Sequence, residues 1–273
     1  MPDVDEAVRT VEEAADSRPM GWLARTGLAA RGIVYLLMGW LAVLVALGGR
    51  QHVDQRGALT EVVAAPFGGA LVLLLGLGFA AYALWRFSEV AFGVTGEGDG
   101  AGPRLKALAR ALVYSLLAVT AFSVLSGAKG TQADQQGSIA ADVMSRTGGR
   151  WLVGLVGAAV VVVGLVMVRE GWSKKFVRYF GSVPPGVRRW IMRLGRIGTV
   201  SRGVVLAIAG VLVVAAAVTA QASKAGGVDA AFRTLLEQPS GPLLVALLGL
   251  GLVVFGVYGL AEAAYRRVPG EQS

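Results

Sequence analysis

Long uncharged stretches dominate the pattern of hydrophobic and polar positions along the chain. Six stretches of 18 or more residues carry no charge, at 32–49, 62–85, 111–128, 151–168, 203–223 and 238–261. About 20 apolar residues, at about 1.5 Å per residue, cross the ~30 Å hydrocarbon core of a bilayer. The pattern therefore predicts six transmembrane helices, and it leaves little chain for a soluble domain.

The predicted spans fall into three similar pairs, which repeat with a period of roughly 80–90 residues. The odd-numbered spans open on RGIVY (31–35), RALVY (110–114) and RGVVL (202–206), and each even-numbered span ends near one glutamate. Because each unit contributes two spans, all three units share one orientation, which predicts a pseudo-threefold axis along the membrane normal. The expected fold class is an all-α transmembrane six-helix bundle of three tandem helical hairpins.

The repeats also divide the chain into segments. We expect an acidic N-terminal tail (1–20), repeat one (21–93), a glycine-rich linker (94–104), repeat two (105–173), a basic interfacial segment (174–195) and repeat three (196–268). The loop inside each repeat is expected to hold a short amphipathic helix, over 57–65, 137–146 and 228–238. The expected N-caps of these helices are Asp54 or Gln55, Asp134 or Gln135, and Asp229.

Composition and charge agree with a membrane protein and orient it. Of the 273 residues, 55% are hydrophobic and 16% are charged, whereas a typical soluble domain has about 25% charged residues. Of the 26 basic residues, 19 lie on the side of the spans that carries both termini and 7 on the other side. Because lysine and arginine collect in cytoplasmic loops, both termini are expected in the cytoplasm. The acidic first 20 residues indicate no cleavable signal peptide. The arginine-, alanine- and glycine-rich composition favours a bacterial source, and hence a multi-pass protein of the bacterial inner (plasma) membrane.

Several short motifs of the first repeat resemble a known family. They are the Arg-Gly-x-x-Tyr start (31–35), the Asp-Gln-x-Gly-Ala-Leu loop (54–59), the Pro-Phe-Gly helix start (66–68) and the Tyr-Ala-Leu-Trp-Arg end (82–86). Over residues 20–268 the chain resembles the bacterial integral-membrane family of domain of unknown function 1206, which is built from three copies of a two-helix unit. The second and third repeats depart most from these motifs: no Trp-Arg pair ends their even-numbered helices, and Leu206 stands where the first two repeats have tyrosine. The resemblance implies the fold and the membrane location, and it implies no activity.

Six charged residues recur at matching places near the predicted cytoplasmic boundary. They are Arg31, Arg110 and Arg202 at the starts of the odd spans, and Glu89, Glu170 and Glu262 at the ends of the even spans. One hypothesis makes them three Arg–Glu pairs around a cytoplasmic vestibule or gate. The other hypothesis makes them ion pairs that lock the open end of each hairpin. We favour the second, because ion pairs at an interface mostly serve structure.

A basic and aromatic run follows the fourth predicted span. Its lipid-surface candidates are Trp172, Lys174, Lys175, Arg178, Arg188, Arg189, Trp190, Arg193 and Arg196. Basic and aromatic residues that alternate beside a span favour a helix lying on anionic lipid, at ~1 kcal/mol per basic residue near the surface. Nucleic-acid binding would need the same residue types, but the two flanking spans tether this loop to the membrane. We therefore expect anionic membrane lipids as partners and no nucleic acid.

The sequence offers little that could carry chemistry. No predicted span has a charge in its middle, whereas ion and proton pathways usually need intramembrane carboxylates or histidines. The chain has no cysteine and one histidine, His52, which we expect to be a solvated surface residue, so neither a metal site nor a cofactor is expected. Small residues at four-residue spacing indicate ordinary helix packing, in the pairs Ala42/Ala46, Gly154/Ala158 and Gly203/Ala207.

Two classes of function follow from these patterns. The favoured one is a non-catalytic membrane scaffold or accessory component that contacts anionic lipid and partner proteins of unknown identity. The alternative is a transporter or channel for a small or apolar solute along the pseudo-threefold axis. No enzyme is expected, because catalysis requires a nucleophile near a base and the sequence offers no such set. A core filled by side chains would disfavour transport, and a hydrated cavity that reaches past the midplane would favour it.

Overall fold

The computed structural model describes residues 18–49, 51–92, 101–128, 131–173 and 183–265, and the regular structure of these residues is entirely helical. In chain order the helices are α1 (Arg18–Ala46), α2 (Gln55–Ala64), α3 (Gly68–Phe92), α4 (Ala101–Leu125), α5 (Gln132–Met144), α6 (Gly149–Ser173), α7 (Pro185–Thr219), α8 (Gly227–Leu236) and α9 (Gly241–Tyr265). A short 3-10 turn, Ala222–Ala225, precedes α8. The expected N-terminal tail up to residue 17 and most of the expected linker (94–100) lie outside the described residues.

Within the described ranges, five helices are long and apolar enough to cross a membrane. Their apolar segments are Arg25–Ala46, Ala107–Leu125, Gly149–Ser173, Gly186–Thr219 and Gly241–Tyr265. The remaining predicted span is present as α3, whose apolar segment Gly68–Leu84 is shorter. The prediction of an all-helical protein with several helices long and apolar enough to span a membrane is therefore confirmed for the described residues.

The three short helices lie where the sequence predicts them, but their starts differ from the expected ones. Asp54 caps α2 as expected, because its carboxylate accepts a hydrogen bond from the Gly57 amide at 2.7 Å. The N-cap of α5 is Thr131, and the expected cap Asp134 lies in the first turn, where it accepts a hydrogen bond from the Thr131 amide. The prediction that Asp229 caps α8 is also wrong. Helix α8 begins at Gly227, and the Asp229 side chain is buried against another repeat.

The helices pack most closely between repeats, not within them. The main contacts join α3 to α4, α6 to α7, and α9 to α1, so each even span packs on the next odd span around a ring. Within the third repeat α7 also packs on α9, whereas in the first repeat α1 and α3 touch far less. The two helices of one repeat are therefore not the most closely packed pair in the described structure.

Glycines spaced seven residues apart explain this pairing. A Cβ atom on Gly39 of α1 would lie 2.6 Å from the Gly249 carbonyl oxygen of α9, and one on Gly256 would lie 2.7 Å from the Gly32 carbonyl oxygen. Such close backbone approach favours helix association in lipid, where burial of apolar side chains alone gives no gain over contact with lipid tails. The expected Gly203/Ala207 pair does face α6 at Gly164, whereas Ala158 of the expected Gly154/Ala158 pair is exposed.

Side chains fill the space between the helices. One hydrophobic cluster includes the almost fully buried Met38, Val72, Phe79 and Leu252, together with residues from α4 and α7. Helix α6 lies at the periphery: Gly157, Gly164 and Gly171 are buried against α7, while its leucines are exposed. Exposed leucines in an apolar helix are what a lipid-facing surface requires.

Helix α7 is longer than a bilayer is thick. Its 35 residues span about 52 Å at 1.5 Å per residue, against ~30 Å of hydrocarbon. Pro185 occupies the first turn, where no intrahelical N–H bond is lost. The second half of the expected basic interfacial segment therefore continues directly into the spanning helix, in contrast to the separate surface helix that the sequence suggested; residues 174–182 lie outside the described residues.

Candidate functional site

A buried ion pair joins α1 and α9 at the termini end, defined as the end where α1 begins and α9 ends. Arg31 Nη2 lies 2.5 Å from Glu262 Oε2, and the two side chains are 22% and 6% exposed. One turn and a half earlier on α1, the guanidinium of Arg25 donates to the last carbonyls of α9, those of Ala263 (2.9 Å) and Ala264 (2.7 Å). These bonds satisfy carbonyl groups that a helix end leaves without partners. The pair thus connects repeats one and three.

The other four ion-pair candidates are not placed equivalently. Arg110 and Glu170 are exposed on α4 and α6. The side chain of Glu89 lies outside the described part of the structure. Arg202 is half-buried and lies over two aromatic rings, 5.0 Å from the centroids of Tyr35 and Phe255. The described side chains therefore do not form three equal pairs, and the repeat symmetry is broken at this end.

Arginine and tyrosine side chains gather around the ion pair, in what we call the arginine–tyrosine cluster. Its members are Arg31, Arg86, Arg202, Tyr35, Tyr82, Tyr114, Phe255 and Glu262. The ring of Tyr114 lies 4.2 Å from that of Tyr82, and Arg86 donates to the Tyr82 hydroxyl at 2.8 Å. The Tyr35 ring meets Phe255 edge-on at 4.8 Å. Aromatic faces stabilise guanidinium groups that have little access to water, so the cluster can hold arginines inside the helix bundle.

The first turns of α7 present the basic face that the sequence singled out. Arg188, Arg189, Trp190 and Arg193 are exposed, whereas Ile191 packs against Phe255 and Tyr258 of α9. Two guanidiniums lie over indole rings: Arg196 is 4.1 Å from Trp172, and Arg193 is 5.8 Å from Trp190. The remaining candidates, Lys174, Lys175 and Arg178, lie outside the described residues. The structure thus places an exposed basic and aromatic face beside the arginine–tyrosine cluster.

The opposite end, which we call the loop end because the short helices lie there, contains a cluster that the sequence did not predict. Asp229 is 2% exposed and accepts hydrogen bonds from the Val53 amide (2.8 Å) and from Arg233 Nε (2.7 Å). The Oδ2 atom that accepts the Arg233 hydrogen bond also lies 3.2 Å from His52 Nδ1. His52 keeps 41% of its side chain exposed, in agreement with a surface residue, but it also contacts a buried carboxylate of another repeat, which the sequence did not predict. Because 177 residues separate His52 from Asp229, local sequence patterns could not bring them together.

A cavity of about 240 Å³ lies next to this cluster. It is lined by Leu41, Gln51, His52, Asp54, Arg56, Gly57, Thr60, Glu61, Thr131 and Gln132. Burial raises the pKa of Asp54, the cap hydrogen bond from Gly57 opposes that rise, and the charge of Asp229 adds to it. Within the described residues no group of three histidine, cysteine, aspartate or glutamate side chains could hold a metal ion.

Comparison with known proteins agrees with the repeats and gives no activity. A family model described as Domain of Unknown Function (DUF1206) matches three times in tandem, over residues 26–93, 105–174 and 197–266. The chain is 28% identical over 253 residues to the Uncharacterized protein YxxB of Bacillus subtilis (strain 168). The matched region covers 91% of this chain and 92% of that protein. No solved structure matches the chain. Since the three matches cover most of the chain and follow the helix pairs seen here, the protein belongs to the family described as Domain of Unknown Function (DUF1206).

Proposed function

We propose that this protein is a six-span component of the bacterial inner membrane that acts by contact with anionic lipid and partner proteins, without catalysis. The contact of Arg25 with the carbonyls of Ala263 and Ala264 supports six crossings, because it brings the first turns of α1 and the last turn of α9 to the same end of the helix bundle. Five apolar segments together with α3 supply the even number of crossings that this requires. The excess of basic residues at the termini end favours the cytoplasm for that end.

The exposed basic face of α7 carries the proposal. Because α7 is longer than the hydrocarbon core, its first turns reach the depth of the lipid headgroups. Arg188, Arg189 and Arg193 are exposed there beside Trp190. At ~1 kcal/mol per basic residue near an anionic surface, three arginines contribute about 3 kcal/mol, or roughly 100-fold in lipid preference.

Lipid retention tests this proposal. The full chain, reconstituted in nanodiscs of mixed phosphatidylglycerol and phosphatidylcholine, is expected to retain phosphatidylglycerol in native mass spectrometry. The triple variant Arg188→Gln/Arg189→Gln/Arg193→Gln should lose most of this preference. The matched triple change to lysine keeps the charge and should retain it. Equal lipid ratios for all three proteins would contradict the proposal.

Transport along the repeat axis is the alternative that the tandem repeats suggest. Such a pathway needs a hydrated route or a chain of polar groups through the membrane. The almost fully buried Met38, Phe79 and Leu252 instead belong to one hydrophobic cluster, and five of the six long helices contribute to it. This filled core is why we favour the contact function over transport.

A further inference from the structure

The cavity at the loop end contains acceptor atoms that the protein itself does not satisfy. Asp54 Oδ2 and Gln51 Oε1 are buried, and neither has a hydrogen-bond partner among the described residues. Asp54 is 3% exposed, and its other oxygen already accepts the Gly57 amide. Buried polar atoms in folded proteins almost always have a partner. Both residues line the cavity, so a hydrogen-bond donor that enters it would supply that partner.

The charges around the cavity favour a cationic donor. Among the described residues that line the cavity, Asp54 and Glu61 carry negative charge and Arg56 carries positive charge. The guanidinium of Arg56 is already directed to the Ala128 carbonyl and the Ser123 hydroxyl. Behind the cavity wall, the carboxylate of Asp229 is paired with Arg233. The lining therefore keeps a surplus of negative charge at Asp54.

The size and position of the cavity limit the ligand further. Sites for drug-sized molecules occupy about 300–1,000 Å³, and this cavity is smaller, at about 240 Å³. It accommodates a small molecule or the polar head of a larger one. Leu41 belongs to the apolar segment of α1 that is long enough to span a membrane, and it also lines the cavity, so the cavity adjoins the end of a proposed span.

We propose that this cavity binds a primary ammonium group, which donates hydrogen bonds to the Asp54 carboxylate and the Gln51 side-chain oxygen. An ammonium group has three N–H donors and no acceptor, which fits a site with two acceptors in need of donors. The ligand is either a free small amine or the headgroup of an ethanolamine lipid. The walls are contributed by repeats one and two, and Gln132 of α5 accepts a hydrogen bond from the Arg56 amide at 3.3 Å. The ligand would therefore lie at the junction of these two repeats.

Calorimetric titration of the purified full chain with ethanolamine tests the proposal. Choline is the matched ligand, because it carries the same charge without N–H donors, and sodium chloride controls for simple charge screening. We expect ethanolamine to bind at least ~10-fold more tightly than choline, the difference typical of a hydrogen bond to a charged group. Asp54→Asn should weaken ethanolamine binding by a similar factor. Asparagine retains the cap to Gly57 through its oxygen but replaces the free acceptor with an N–H donor.

Two further variants separate binding from folding. Asp142→Asn changes a carboxylate of the same end that is 68% exposed and lies outside the cavity lining, and it should leave the affinity unchanged. If Asp54→Asn fails to fold, Glu61→Gln, which lowers the negative charge of the same cavity, should still weaken binding. The proposal is overturned if the wild-type chain binds no ethanolamine, if choline or sodium binds equally well, or if the cavity variant that folds binds as the wild type does.

Nanodiscs identify the source of the ammonium group. Retention of phosphatidylethanolamine over phosphatidylcholine by the wild type, and its loss in Asp54→Asn, would assign the site to a lipid headgroup. Binding of free ethanolamine without lipid retention would assign it to a soluble amine. Absence of both would overturn the proposal. These results are independent of the anionic-lipid contact at the termini end, because Arg188, Arg189 and Arg193 remain unchanged.

Discussion

The ion pair between Arg31 and Glu262 makes the packing between repeats testable. Its atoms lie 2.5 Å apart, and the Glu262 side chain is 6% exposed. Glu262→Gln leaves the Arg31 guanidinium beside a neutral amide, and removal of one partner of a buried ion pair costs ~3–5 kcal/mol. Because the Arg31 side chain is 22% exposed, we expect the lower end, about 3 kcal/mol. At ~2–4 °C per kcal/mol for a chain of this size, the melting temperature should fall by roughly 6–12 °C.

A double-mutant cycle gives the decisive measurement. Thermal melting of the detergent-solubilised wild type, Glu262→Gln, Arg31→Gln and the double variant should show a coupling energy of about 1–3 kcal/mol. The exposed, repeat-equivalent Glu170→Gln serves as the control and should change stability by less than ~0.5 kcal/mol. The same cycle is repeated with Glu89, the glutamate in the same repeat as Arg31. A larger coupling of Arg31 with Glu89 than with Glu262 would refute the packing between repeats.

Two other predictions follow from the described packing and the proposed orientation. Gly39→Ala should destabilise the protein by ~1–3 kcal/mol, because its Cβ would overlap the backbone of α9. In the control Gly78→Ala the added Cβ meets nothing within 4 Å, so this variant should melt at or above the wild-type temperature. Equal losses of stability in both variants would exclude the glycine contact as the cause. The chain lacks cysteine, so a single introduced cysteine can report the orientation in the membrane. An impermeant maleimide added outside spheroplasts should label Ser240→Cys at the loop end and should not label Ser173→Cys at the termini end. The reverse labelling pattern would refute the proposed orientation.

Local patterns in the sequence are sufficient to predict most of the helices of this fold. Uncharged stretches predict the long helices, because hydrophobic length is the property that a bilayer selects. The motif around Asp54 predicts the start of α2, because an N-cap depends on residues within one turn. At α5 the predicted N-cap is wrong. Thr131 and Asp134 form a reciprocal capping box in which Thr131 is the N-cap and Asp134 is the N3 residue. Repeated motifs likewise place the chain in its family without any tertiary information.

The sequence by itself therefore determined helices, repeats and a basic face, and the tertiary structure decided which of them meet. The three similar repeats contain three similar glutamates that could pair with Arg31, so no sequence pattern identifies Glu262 as its partner. The close approach of Gly39 to Gly249 decides the pairing, because it brings α9 against α1. The contact of His52 with Asp229 and the buried acceptor of Asp54 arise in the same way, from loops that only helix packing brings together. Contacts across repeats depend on how closely backbones approach, a property of two helices at once that neither segment of sequence carries alone.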